Sequence, residues 1–99
     1  MKIYRSEQEF IKALDNLGLS PNQINEILEH EKAHLKKARE LGYEADFGIR
    51  QKGDNCQSPM IVIYNFDKVL KEDLIKIISA PSDLSEGDVN QLKSLEDSV

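Results

Sequence analysis

His34-Leu35-Lys36-Lys37-Ala38-Arg39-Glu40-Leu41-Gly42-Tyr43-Glu44-Ala45-Asp46-Phe47-Gly48-Ile49-Arg50 is the stretch in which one periodicity replaces another. Up to Leu41 the apolar residues recur every three or four positions. From Tyr43 they alternate, with Tyr43, Ala45, Phe47 and Ile49 on one parity and Glu44, Asp46, Gly48 and Arg50 on the other. The first spacing belongs to a helix with one buried stripe, the second to a strand with one dry and one wet face. Gly42, which can take positive φ, stands at the junction.

Working back, Ser20-Pro21-Asn22-Gln23 carries a hydroxyl at the N-cap, a proline where the missing N–H is harmless, and a glutamine positioned to close a capping box. The spacing predicts a helix from Pro21 to about Leu41, roughly 30 Å long, with Lys36, Lys37 and Arg39 in the last turn, where the helix dipole favours cations. Before it, Ser6-Glu7-Gln8-Glu9 opens a shorter helix through Phe10, Ile11, Leu14 and Leu17 that ends at Gly18, and Ile3-Tyr4 can form a very short strand.

Working forward, the turn-rich run Lys52–Pro59 leads into Met60-Ile61-Val62-Ile63-Tyr64-Asn65-Phe66, apolar on both parities. This reads as the second strand of an antiparallel hairpin, covered on both sides. A third helix follows Asp67 as N-cap, through Val69, Leu70, Leu74, Ile75, Ile77 and Ile78, and Pro81 closes it. Ser85, with Asp88 three residues on, starts a short last helix through Val89, Leu92 and Leu95. The expected fold is α+β, a single domain over residues 1–99 in the order α-α-β-β-α-α, with helices packed on an antiparallel hairpin or small sheet. The acidic, thinly apolar stretch 80–99 reads as a loosely packed end.

Composition narrows the function. A formal net charge of -5, from 18 acidic and 13 basic side chains, argues against a partner held by phosphate contacts, so nucleic acid is not expected. The basic residues Lys32, Lys36 and Arg39 share a face with Glu29 and Glu40 and read as a solvated surface. Cys56 is the only cysteine, which precludes an intramolecular disulfide and a multi-thiolate cluster. Without an apolar run long enough for a membrane span or signal peptide, the chain reads as cytoplasmic. The remaining partner class is a protein or peptide, a second copy of the chain included.

On a helical wheel the stripe of the long helix is Ile24, Ile27, Leu28, Leu35, Ala38 and Leu41. Glu31 falls within roughly 10° of its centre, with His34 inside it and His30 on its border. A carboxylate there costs several kcal/mol unless a cation, a metal or several hydrogen bonds meet it. Glu31 must therefore have a partner, stay protonated, or face a cavity.

His30-Glu31-Lys32-Ala33-His34 resembles the HExxH signature of the zincin metallopeptidases, over five residues of the chain. The resemblance implies that His30 and His34 are ligands of a Zn²⁺ ion and that Glu31 is the general base of a peptide hydrolysis. It also implies a third protein ligand, for which Glu72 and Glu86 are candidates, with Asp46 and Asp67 as alternatives. Tyr43 or Tyr64 would then support the developing oxyanion. The competing expectation is a non-catalytic interaction or regulatory module. There Glu31 pairs with Arg50 or a tyrosine hydroxyl, His34 is a hydrogen-bonded core histidine, and both only fix packing.

Overall fold

We describe a computed structural model of the chain, covering residues 1–53 and 56–97. The elements run β1 (Lys2–Tyr4), α1 (Glu7–Asn16), α2 (Pro21–Glu40), β2 (Ala45–Lys52), β3 (Cys56–Ile63), a 3-10 turn (Phe66–Lys68), α3 (Lys71–Ile78) and α4 (Glu86–Asp97). This is an α+β fold in which the three strands form one antiparallel sheet in the order β1-β2-β3. None of the described helices is long and apolar enough to cross a membrane.

Both early capping signals form. The Ser6 side chain accepts from the Glu9 backbone N–H, and Ser20 and Gln23 close a reciprocal box at the start of α2. Gly18 and Gly42 take φ of +83° and +93°, where a side chain would be strained. At Gly42 the helix has ended, and its Tyr43 N–H returns to the Ala38 carbonyl at 3.0 Å.

The core lies between α2 and one face of the sheet. Ile24, Leu28, Leu35 and Ala38 of α2 pack with Phe10 and Leu14 of α1, Ala45, Phe47 and Ile49 of β2, and Ile77 of α3. Phe10 and Phe47 stack with ring centroids 4.5 Å apart, which joins α1 to the centre of the sheet. The parity of β2 thus behaves as its alternation predicts.

Three local expectations change. The hairpin gains a third strand, because β1 pairs with β2 through Lys2↔Ile49, Ile3↔Gly48 and Tyr4↔Phe47. β3 begins at Cys56 rather than Met60, and Met60, Ile61, Val62 and Ile63 are all half-buried. Ile61 and Ile63 join the core, whereas Met60 and Val62 lie opposite Gly48 and Asp46 on the other face. A strand at the sheet edge tolerates Pro59 because no third ladder needs its N–H. Asp67 caps no long helix: it sits inside the 3-10 turn, extended backbone at Val69 and Leu70 breaks the chain, and α3 starts afresh at Lys71. Asp54 and Asn55, in the expected turn, lie outside the described residues.

Gly48 is a close-approach position. A Cβ built there would sit 2.8 Å from Val62 Cγ2 and 3.3 Å from the Lys2 carbonyl oxygen. Gly48→Ala is therefore expected to destabilise the sheet by about 1–3 kcal/mol. Adding Val62→Ala should recover part of that loss, since only the Lys2 contact then remains tight. A double-mutant cycle on denaturant midpoints reads this out, and strictly additive effects would contradict it.

Candidate metal centre

Glu31 and His34 are held inward by α2. They lie on its stripe between Leu28 and Leu35, with 9% and 6% of their surface exposed, and His30 sits on the border. The third element of the site comes from the far end of the chain. Ser85 and Asp88 form a reciprocal box at the start of α4: the Asp88 N–H donates to Ser85 Oγ at 3.1 Å and the Ser85 N–H donates to Asp88 Oδ2 at 3.2 Å. That box fixes the Asp88 carboxylate in the first turn and turns it toward α2.

Three atoms then converge. His30 Nε2 is 2.9 Å from Asp88 Oδ2, His34 Nε2 is 3.4 Å from the same oxygen, and the two Nε2 atoms are 3.3 Å apart. A Zn²⁺ ion with bonds of about 2.0–2.1 Å at tetrahedral angles spaces its ligands about 3.3 Å apart. Two edges of this triangle, 3.3 and 3.4 Å, match that spacing, and the third, at 2.9 Å, is the length of a hydrogen bond. Among the described residues, His30, His34 and Asp88 are the group whose ligand atoms gather closely enough to share an ion.

The outer hydrogen bonds orient the rings. His34 Nδ1 lies 2.8 Å from the carbonyl oxygen of Ile77 in α3. A carbonyl only accepts, so Nδ1 carries the proton, and Nε2 is the nitrogen left to face the triangle. His30 Nδ1 stands 3.5 Å from Asp83 Oδ1 on the chain leading into α4, whereas its Nε2, 2.9 Å from the Asp88 carboxylate, is the nitrogen that donates in the metal-free chain. A second nitrogen anchored on a carbonyl or carboxylate is the usual support of a metal-binding histidine.

The electrostatics agree with a site short of positive charge. Burial lifts the Glu31 carboxyl from its ordinary 4.5 to about 7; the field of His30 opposes the lift and that of Asp88 adds to it. His30 is raised above its ordinary 6.5. Burial acts against its charge, but Glu31, the contact with Asp83 and the adjacent Asp88 outweigh it.

Other residues read from the sequence lie elsewhere. Glu72 is exposed in the first turn of α3, Asp67 is exposed in the 3-10 turn, and Glu86 is exposed at the first position of α4, two residues before the carboxylate that reaches the histidines. Asp46 accepts from the Tyr64 hydroxyl at 2.9 Å and from Arg39 at 3.3 Å. The Tyr43 hydroxyl donates to Asp73 and accepts from the Leu70 N–H. Both tyrosines line a hollow with Arg5 and Arg39, apart from the triangle. The carboxylate partner in each case holds the phenol above its usual range. Arg50 is exposed on the opposite parity of β2 from Phe47 and Ile49 and does not meet Glu31. Asp88 carried one sequence signal, its place in a capping box, and that signal pointed to helix initiation.

No protein-family model, curated protein or solved structure matches this chain.

The two raised groups set a pH dependence for the metal-free chain. Each binds its proton more tightly folded than unfolded, so stability is highest at low pH and falls as pH rises, for Glu31 across the window from 4.5 to about 7. Glu31→Gln removes the Glu31 part of this loss. With a chelator present, the substitution is expected to change stability little at about pH 4 and to stabilise by up to about 3 kcal/mol at about pH 8. Denaturant melts at the two pH values measure the difference, and an equal effect at both would contradict a carboxyl kept neutral by burial.

Proposed function

We propose that this chain is a small zinc-binding domain in which His30, His34 and Asp88 hold the ion and Glu31 acts as the acid–base group of a peptidase-like hydrolysis. The observation that carries the reading is the convergence of three metal-ligand atoms within 3.4 Å of one another, with His34 anchored by the Ile77 carbonyl. Three protein ligands leave a fourth position, the arrangement of catalytic rather than structural zinc sites. Zinc in such a position lowers the pKa of a bound water toward neutrality.

The chain's own groups suit that chemistry. Glu31 follows His30 directly on α2 and is close enough to feel both His30 and Asp88. A carboxyl near neutrality accepts and returns a proton at physiological pH, as a general base and then acid must. Glu31, His34 and Asp88 also line a groove of about 510 Å³ whose other walls are Ser58–Ile63 of β3 and Leu74, Ile77 and Ile78 of α3. The groove's apolar sides suit a peptide or protein segment as the substrate. A reducing cytoplasm suits a chain with a single cysteine.

A second reading has one observation in its favour. The His34–Ile77 and His30–Asp88 hydrogen bonds, at 2.8 and 2.9 Å, also tie α2 to α3 and α4 as a proton-bridged clamp in a non-catalytic interaction module.

Elemental analysis of untagged protein, purified without added zinc, separates the two. The zinc reading expects about one zinc per chain, as one three-ligand site holds one ion, with the metal lost in His34→Ala and in Asp88→Ala. Glu31→Gln should keep the metal while lowering hydrolysis of a peptide library by at least about 100-fold, the usual scale of a lost general base. Metal-free protein whose melting is unchanged by added zinc would leave the clamp as the surviving reading.

A further inference from the structure

α4 differs from the other helices in how it is held. α1, α2 and α3 each bury at least two side chains. Along α4, by contrast, Asp88, Leu92 and Leu95 reach only the half-buried state, and Val89 is exposed. Its neighbour is α3, and the link between them, Ser82 to Ser85, is exposed throughout after the buried Pro81. So little apolar contact leaves docking of such a helix finely balanced, and its polar attachments become decisive.

The attachments to α2 include the centre itself. Asp88 reaches His30 and His34, and Asp83 on the leading segment reaches His30. Asp88 is shared between two structures, because the oxygen that faces the histidines also accepts the Ser85 N–H that opens the helix. The triangle therefore exists only while α4 is both formed and docked. Ser85, Gly87, Asp88 and Gln91 in turn form one wall of the groove beside β3.

We propose that zinc is the latch of α4: the ion draws Asp88 onto His30 and His34, docks the helix on α3, and so completes the groove in which the substrate lies. The inference rests on the zinc reading of the triangle. An ion that binds the docked form and not the undocked one raises their ratio by about 100-fold when free zinc is 100 times its dissociation constant. The coupling is reciprocal, so weakening the apolar docking of α4 must weaken zinc binding even where no ligand is touched.

Hydrogen–deuterium exchange on the full chain, in chelator and in zinc, tests this, with zinc affinity measured in parallel by competition against a chromophoric chelator. Zinc should slow exchange across 89–96 by at least about tenfold while the centre of α2 changes little. Leu92→Ser should lower zinc affinity several-fold, and Leu92→Met should restore it. Asp88→Asn, which keeps the bulk of the side chain, should leave α4 exchanging at the metal-free rate. Zinc that binds without slowing 89–96, or with an affinity indifferent to Leu92→Ser, overturns the latch and leaves the metal centre standing. Failure of zinc to bind at all overturns both.

Discussion

The convergence of three electron-rich atoms on one point is the constraint around which the rest of the molecule is arranged. His34 commits its Nδ1 proton to the Ile77 carbonyl and turns Nε2 to within 3.4 Å of Asp88 Oδ2, which carries lone pairs by nature. His30 Nε2 stands between 2.9 and 3.3 Å from the two. Such a group coexists around a shared hydrogen or cation, either the Nε2 proton of His30 or a metal ion at the centre. The raised affinity of His30 for its proton is the metal-free solution to the same problem. A proton bridges two of the three atoms well, whereas a tetrahedral cation satisfies all three at once.

Bringing those atoms together requires most of the fold. α2 presents both histidines on one side because they are four residues apart. The sheet then fixes which side is inward, through Ala45, Phe47 and Ile49 against Ile24, Leu28, Leu35 and Ala38. α3 supplies the Ile77 carbonyl from its last turn, where the oxygen also accepts the Ala80 N–H at 3.3 Å and has a second lone pair for the imidazole. α4 supplies Asp88. The centre thus samples three helices, and rotation of α2 by one residue about its axis would carry His34 out of reach of both partners.

The sequence carried the fold through periodicity and caps. The change from a spacing of 3.6 to 2 around Gly42, the Ser20–Gln23 box and the Ser85–Asp88 box each report a local free-energy preference, and each appears as read. What escaped was decided between distant residues. β1 is three residues long and gains its status only by pairing with β2, some forty residues away. The second strand is apolar on both parities, yet only Ile61 and Ile63 pack against the main core cluster. Its Met60–Val62 face is half-buried beside Gly48, and composition cannot distinguish such a sheet edge from a core strand. The histidines and Glu31 were legible because helical arithmetic puts them on the stripe. Asp88 was visible only as a cap, since its second role depends on the angle at which α4 returns to α2.

Glu31 and His34 share a stripe, but packing accounts for only one of them. His34 has a carbonyl partner and a geometry that a core histidine would adopt for its own sake. Glu31 lines the groove beside β3, and what acts on its carboxyl is burial, with the fields of His30 and Asp88. A carboxyl lifted to about 7 is half ionised at neutral pH, so the stripe holds a charge that weakens the core. A carboxyl shifted by burial beside a cleft is a candidate for chemistry. Under the zinc reading proposed above, Glu31 stands one residue from His30, beside the groove, as the group that would exchange protons there.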